Sequence, residues 1–155
     1  MTGDAPVELA PVRAAMRAAL RPYGLPGDTT VAVAFVDDEA MRALNARYRR
    51  KNRTTDVLSF GQTIGPKAKG KAAAAQLRRE PDGTLELGDI VISAAQARRQ
   101  ARRKRHPLAR EVAFLAAHGA LHLVGFEDES RAGYREMVAL GTAAVAKASK
   151  NVRTV

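Results

Sequence analysis

Apolar residues recur at helical spacing near the start of the chain. Leu9, Val12, Met16 and Leu20 fall on one helical face, which predicts a packing helix from about Val7 to Leu20. A second helix is expected after Asp37, whose side chain can cap it. Three more helices are expected at about 93–103, 108–124 and 130–148. Helices therefore dominate the second half of the chain.

Runs of β-branched and apolar residues predict three strands. They lie at 29–36, at 57–60 and at 85–92, the last with a bulge around Gly88. Strands alternate with helices early in the chain and helices follow later. This order indicates a single α/β (α+β layered) domain over residues 1–155, in which a small mixed sheet packs with about five helices. A short C-terminal tail is expected from about residue 149.

The stretch at 61–83 separates two of these strands and is longer than most loops. It is expected to be a mobile basic insertion, or an insertion with a short helix at 72–79. Its five basic residues could grip RNA, although a solvated spacer fits its composition equally well.

The net charge of +10, from 26 basic and 16 acidic residues, favours a polyanionic partner, and nucleic acid comes first. Only 5% of the residues are aromatic, so contacts to the RNA backbone should outweigh extensive base stacking. No basic leader and no long apolar span are evident in the sequence. A cytoplasmic protein without a membrane partner is the expectation.

Two segments concentrate the basic residues that could contact phosphates. Six of the eight residues at 98–105 are basic, more than helix capping requires, and Arg98, Arg99, Arg102 and Arg103 are the candidates there. A second basic segment follows the second predicted helix. Its candidates are Arg49, Arg50 and Lys51, and the two guanidinium groups there suit phosphate oxygens.

The run HGALHLVGFED carries the clearest chemistry. His118 and His122 are four residues apart, so both imidazoles project from one helix face. Gly125 can end the helix and allow the chain to fold back with Asp128. The chain has no cysteine, so a metal must use nitrogen and oxygen ligands. Three such ligands would leave one position open, as a catalytic metal site requires.

Glu111 precedes His118 by seven residues on nearly the same helix face. It could orient an imidazole from behind, or it could simply face solvent.

Three blocks of this sequence resemble the YbeY-type endoribonucleases, a family of bacterial rRNA maturation factors. HGALHLVGFED is similar to the family signature HGxLHLxGYDH, and LNARYRRKNRTTDVLSF and LGDIVIS match two further blocks in order. The resemblance implies a cytoplasmic single-strand-specific metalloendoribonuclease that acts in small-subunit rRNA 3′-end maturation and ribosome quality control. It implies zinc ligands at His118, His122 and Asp128, and it places the family's arginine at Arg49.

One departure from the signature concerns the metal. The last position of the signature is histidine, and here it is Asp128. Zinc remains the expected ion, but a harder oxygen ligand could move the preference toward manganese or magnesium. Glu127 or Glu129 could supply the third ligand instead if the turn is built differently.

The expected reaction is phosphodiester hydrolysis with Arg49 stabilising charge on the phosphate. Position 119 is glycine, so the glutamate of the HExxH proteases is absent, and close backbone packing is the simpler explanation of Gly119. The attacking group could be water or the ribose 2′-hydroxyl. The alternative function is a non-catalytic RNA-binding ribosome assembly factor with a structural metal.

Overall fold

The fold is a three-stranded mixed sheet covered by helices. The computed structural model describes residues 5–49 and 55–152. The side chains of Arg49 and of residues 150–152 are outside that description. The described helices are α1 (Leu9–Leu20), α2 (Asp38–Arg49), α3 (Lys71–Ala74), α4 (Ala94–Lys104), α5 (Leu108–Leu123) and α6 (Arg131–Val152). The described strands are β1 (Thr29–Val36), β2 (Val57–Gly61) and β3 (Leu85–Ser93).

The sheet confirms the mixed architecture. Its strand order is β1-β3-β2, with β1 parallel and β2 antiparallel to β3. Thr30 pairs with Glu86 while Val31 pairs with Gly88, so Leu87 is the extra residue of a bulge. Gly88 has a positive φ of 150°, and an added Cβ there would collide with the Phe60 carbonyl oxygen. The predicted bulge is therefore confirmed, and close strand packing requires the glycine.

Helix α5 is the centre of the core. One of its faces packs on the sheet, and α1 and α6 cover much of the remainder. Gly119 allows the close approach, because an added Cβ would lie 2.8 Å from Cγ2 of Ile90. The hydroxyl of Ser59 on β2 donates a hydrogen bond to the Gly119 carbonyl at 3.0 Å. Gly119 thus serves backbone packing, as predicted, and fixes the position of α5 on the sheet.

Short polar side chains cap the N-termini of α2 and α4, at the positions that the sequence predicted. Asp37 accepts a hydrogen bond from the backbone N–H of Ala40 at 2.8 Å, and Ser93 accepts one from Gln96 at 3.1 Å. Both satisfy N–H groups that a helix start leaves without partners. The two predicted caps are confirmed.

The segment at 61–83 is hydrogen-bonded to the rest of the fold at several points, and it contains a short helix, which was one of the two expectations for it. The side chain of Gln62 bonds the backbone N–H and carbonyl of Arg78, and the side-chain oxygen of Gln76 accepts from Gly65 at 2.6 Å. The Gly70 N–H donates to the Val124 carbonyl at 2.8 Å. The short helix within it is α3, which is shorter than predicted.

The C-terminal helix is longer than the sequence indicated. A tail was expected from about residue 149, but α6 continues to Val152.

A buried carboxylate joins α4 to α5. Glu111 is fully buried and accepts hydrogen bonds from Gln100 at 2.7 Å, Lys104 at 3.1 Å and His106 at 2.7 Å. Burial tends to raise the pKa of Glu111, but these three bonds outweigh it and hold the pKa below its ordinary value. The ionised carboxylate therefore stabilises the fold.

We expect Glu111→Gln to lower the free energy of unfolding by about 2 kcal/mol at neutral pH, because it removes a buried carboxylate that accepts charge-assisted hydrogen bonds. A carboxyl with a depressed pKa adds stability above its unfolded-state pKa of about 4.3, and loses it as pH falls through the lower folded-state value. The difference in free energy of unfolding between wild type and Glu111→Gln should therefore shrink below about pH 4. Urea denaturation of both proteins at pH 7 and at lower pH measures these free energies of unfolding.

The exposed Glu80 provides the matched control as Glu80→Gln, which should leave stability nearly unchanged at both pH values. A stability difference for Glu111→Gln that stays constant on acidification would contradict the account.

Candidate metal centre

Two imidazoles of α5 converge on one carboxylate oxygen. Nε2 of His118 lies 3.1 Å from Oδ2 of Asp128, and Nε2 of His122 lies 3.2 Å from the same oxygen. The two ring centroids are 4.8 Å apart. The ligand atoms of the three residues lie within 4.8 Å of one another. The structure thus brings together the three residues that the sequence proposed.

The end of α5 explains how Asp128 reaches the imidazoles. Gly125 has a φ of 91°, its N–H donates to the His122 carbonyl at 3.0 Å, and the Phe126 N–H returns to the Leu121 carbonyl at 3.2 Å. This left-handed glycine ends the helix and reverses the chain. An added Cβ at Gly125 would collide with the Ala68 carbonyl oxygen. The predicted stop is confirmed, and the reversal sets the position of Asp128.

A backbone carbonyl sets the tautomer of His122. Nδ1 of His122 lies 3.0 Å from the Phe126 carbonyl oxygen, which can only accept, so Nδ1 carries the proton. Burial, followed by the charge on His118, lowers the pKa of His122 and favours its neutral form. Nε2 of the neutral ring then has a lone pair facing the Asp128 oxygen. Two electron-rich atoms at this distance repel each other unless a proton or a metal ion lies between them, so the arrangement can accept a metal.

The remaining groups of the centre complete the donor set. Burial tends to raise the pKa of Asp128, but the hydrogen bond from His118 and the charge on His122 outweigh it and lower the pKa. Carboxylate oxygen and imidazole nitrogen are donors that suit a borderline divalent cation. Nδ1 of His118 is buried and has no hydrogen-bond partner among the described residues. Orientation of that ring therefore depends on packing, including the nearby Phe114 ring at 5.9 Å.

The neighbouring acidic residues of the turn have other roles. The Glu127 carboxylate accepts hydrogen bonds from the backbone N–H groups of Glu129 and Ser130, at 2.7 and 2.9 Å, and from the Ser130 hydroxyl at 2.6 Å. These bonds close the turn before α6. Asp128 is thus the carboxylate of the cluster that could hold a metal, and Glu127 and Glu129 are not in the cluster.

Glu111 does not orient an imidazole of the centre, which corrects the role considered from its spacing. Its oxygens are bonded to Gln100, Lys104 and His106, and neither Nδ1 of the two metal-centre histidines bonds to it. Helical spacing put Glu111 on nearly the same face of α5 as His118. In the structure, however, the turn between α4 and α5 brings a different histidine, His106, into contact with its carboxylate.

A small cavity of about 190 Å³ opens beside His122. It is lined by Ser59, Gly61, Gln62, His122 and Leu123. Ser59 falls within the block at 44–60, which the sequence indicated as a candidate substrate wall, but neither Ser59 nor Gly61 was singled out there as a site residue. Their role depends on the packing of α5 on β2, which no local pattern reveals.

The basic candidates fall into three groups. Both terminal nitrogens of Arg99 bind the Asp38 carboxylate, at 2.8 and 2.9 Å, so this exposed side chain has an acidic partner for which a phosphate would have to compete. Three others lie exposed on α4, namely Arg98, Arg102 and Arg103. Arg49 ends α2, but its side chain, like Arg50 and Lys51, lies outside the described residues.

The fold and the site define a small α/β protein with a two-histidine, one-aspartate centre suited to a divalent metal. A family model described as Endoribonuclease YbeY matches residues 8–149. The chain belongs to the YbeY endoribonuclease family, which confirms the resemblance seen in its motifs.

Individual relatives agree with the family model. A protein of Moorella thermoacetica named Endoribonuclease YbeY is 42% identical over 80% of this chain and 76% of its own length. One of the same name from Desulforamulus reducens is 41% identical over 75% of this chain and 70% of its own. A solution structure from Thermotoga maritima superposes with a TM-score of 0.58 at 21% identity, covering 94% of this chain and 84% of that one. That likeness shows the shared fold.

We expect Gly125→Ala to weaken zinc binding by at least about tenfold, because displacing the turn moves Asp128 away from the imidazoles. Titration calorimetry with Zn²⁺ on metal-stripped protein measures this. Gly27→Ala is the matched control, since an added Cβ there meets nothing within 4 Å. Unchanged zinc affinity in a folded Gly125→Ala protein would show that the turn does not set the site.

Proposed function

We propose that this chain is a metal-dependent endoribonuclease that hydrolyses phosphodiester bonds of single-stranded RNA and acts in rRNA processing. The observation that carries the proposal is the convergence of His118, His122 and Asp128 beside an open cavity. Membership of the endoribonuclease family supports RNA as the substrate. The net charge of +10 favours association with a polyanion.

The proposed cofactor is one divalent metal ion held by these three residues. Zn²⁺ best suits two imidazoles and a carboxylate, and Mn²⁺ or Mg²⁺ are the alternatives because the third ligand is an oxygen of Asp128. When bound, such an ion supplies Lewis-acid stabilisation of phosphate oxygens and acidifies nearby water.

The other roles in the reaction are assigned to residues of the chain itself. The Phe126 carbonyl holds the His122 ring so that Nε2 faces the centre. We assign Arg49 to stabilising the charge that develops on the phosphate. The exposed arginines of α4, with Arg50 and Lys51, are assigned to phosphates of the bound strand.

A structural metal in a non-catalytic assembly factor is the rival function. Structural zinc sites usually have four protein ligands, whereas the cluster in the described part of this chain has three. The three-ligand cluster with a cavity beside it therefore favours catalysis.

The proposed cellular role is small-subunit rRNA 3′-end maturation and ribosome quality control in the cytoplasm, with the ribosomal small subunit as partner. Its support is the family membership together with the basic charge. None of the described helices combines the length and the apolar character needed to span a bilayer.

Metal stripping should abolish cleavage of a single-stranded RNA, and adding back a defined divalent metal should restore it. We expect His122→Ala to lose at least about 100-fold in rate, because it removes a ligand. His106→Gln is the control, as it changes a histidine outside the centre. Gel analysis of products measures the rate and separates cyclic phosphate from linear ends.

Cleavage that survives both metal removal and His122→Ala would reject a metal-dependent mechanism. Tight RNA binding without cleavage under any metal would favour the assembly factor.

Arg49→Ala should lower kcat by about 100-fold and leave RNA affinity nearly unchanged, because the arginine is assigned to transition-state charge. Arg135→Ala, an exposed arginine of α6, is the matched control and should leave kcat unchanged. Steady-state kinetics and equilibrium binding measure the two quantities. Equal losses in kcat/KM and in affinity would instead assign Arg49 to binding.

A further inference from the structure

Tyr48 is unusually exposed for an aromatic side chain. It lies near the end of α2 with 53% of its surface accessible, and among the described residues only Tyr134, at 54%, is a comparably exposed large apolar side chain. The Tyr48 ring meets the Phe60 ring edge-on, with centroids 5.0 Å apart. The Arg47 guanidinium lies 5.3 Å from the Tyr48 centroid. An aromatic pair with an adjacent cation is thus open to solvent.

Phe60, one ring of this pair, lies on β2, whose end also borders the cavity beside His122. Ser59 points toward α5, where it bonds the Gly119 carbonyl, so Phe60 points to the opposite face of the sheet. A groove of about 560 Å³ on that side is lined in part by Phe60, Gly61 and Gln62. The cavity beside His122 is lined by the same glycine and glutamine. The groove and the cavity therefore meet at these two residues, and a strand could occupy both.

The chemistry of the groove favours a base over a phosphate. Glu86 and Asp89 line it and are exposed, so their carboxylates repel phosphate oxygens and can accept hydrogen bonds from base N–H groups or ribose hydroxyls. Arg47 beside the Tyr48 ring provides a positive charge for a phosphate at the rim. The aromatic rings provide a surface on which any base can stack.

We propose that Tyr48 and Phe60 form a stacking platform for one unpaired base of the RNA strand whose phosphate enters the metal centre. The proposal rests on the endoribonuclease function proposed above and names how it selects its substrate. A base held in a duplex is stacked and paired, so it cannot turn onto the platform. The platform therefore selects single strands, while phosphate contacts provide the remaining affinity. One platform is also compatible with the low aromatic content of the chain.

Binding without cleavage tests the platform directly. In a His122→Ala background, the affinity of a fluorescent single-stranded RNA is measured for Tyr48→Leu, Tyr48→Phe and Tyr134→Leu. Leucine keeps an apolar cover on Phe60 but cannot stack, so we expect a loss of roughly tenfold for Tyr48→Leu. Tyr48→Phe should bind as the parent does. Tyr134→Leu is the control of equal exposure and should also bind like the parent.

An abasic scan of the RNA gives a second readout that a merely structural tyrosine would not move. Removing one particular base should weaken binding to the parent by roughly tenfold, and Tyr48→Leu should erase that difference. An abasic penalty that persists in Tyr48→Leu, or an equal loss in Tyr134→Leu, overturns the platform while the proposed function stands. Failure of the parent and the wild type to bind RNA at all overturns both.

Discussion

The convergence of two imidazoles on a single carboxylate oxygen is the constraint on which the rest of the site depends. His118 and His122 can meet Asp128 only because α5 is held against the sheet through Gly119 and the chain reverses at Gly125. With Nδ1 of His122 donating to a carbonyl, Nε2 and the carboxylate oxygen face each other as two electron-rich atoms. A cation between them removes the repulsion, so the packing of the core and the affinity for a metal are linked.

The charges of the chain are distributed so that its excess basic residues remain available to a polyanion. Where a basic side chain is held in the fold, a specific acid holds it, as Asp38 holds Arg99 and buried Glu111 holds Lys104. Carboxylates line the groove beyond β2, where a strand would present bases, and exposed arginines lie on α4. A nuclease needs this separation, because a uniformly basic surface would bind RNA without directing a phosphate to the centre.

Features that depend on local sequence were predictable, and features that depend on long-range packing were not. The caps at Asp37 and Ser93 follow from short polar residues at helix starts, and the three-residue cluster follows from spacing within one helix and its next turn. The Arg99–Asp38 pair joins residues that are 61 positions apart, so no local pattern signals it. Glu111 was misplaced for a different reason: its partners lie only 5 to 11 residues away, but the turn between α4 and α5, and not one helix face, brings them to it. The hydrogen bonds within the 61–83 segment come from glutamine side chains that bond backbone groups, which its linker-like composition does not reveal.

The central claim is that His118, His122 and Asp128 together hold one divalent ion. Elemental analysis of purified protein after equilibration with zinc, combined with X-ray absorption at the zinc edge, tests it most directly. The account predicts one ion per chain with two imidazole nitrogens in its coordination shell, and no ion in a folded protein that carries His118→Ala and His122→Ala together. An equal ion content in that double variant, or a wild-type shell without imidazole, would contradict the account.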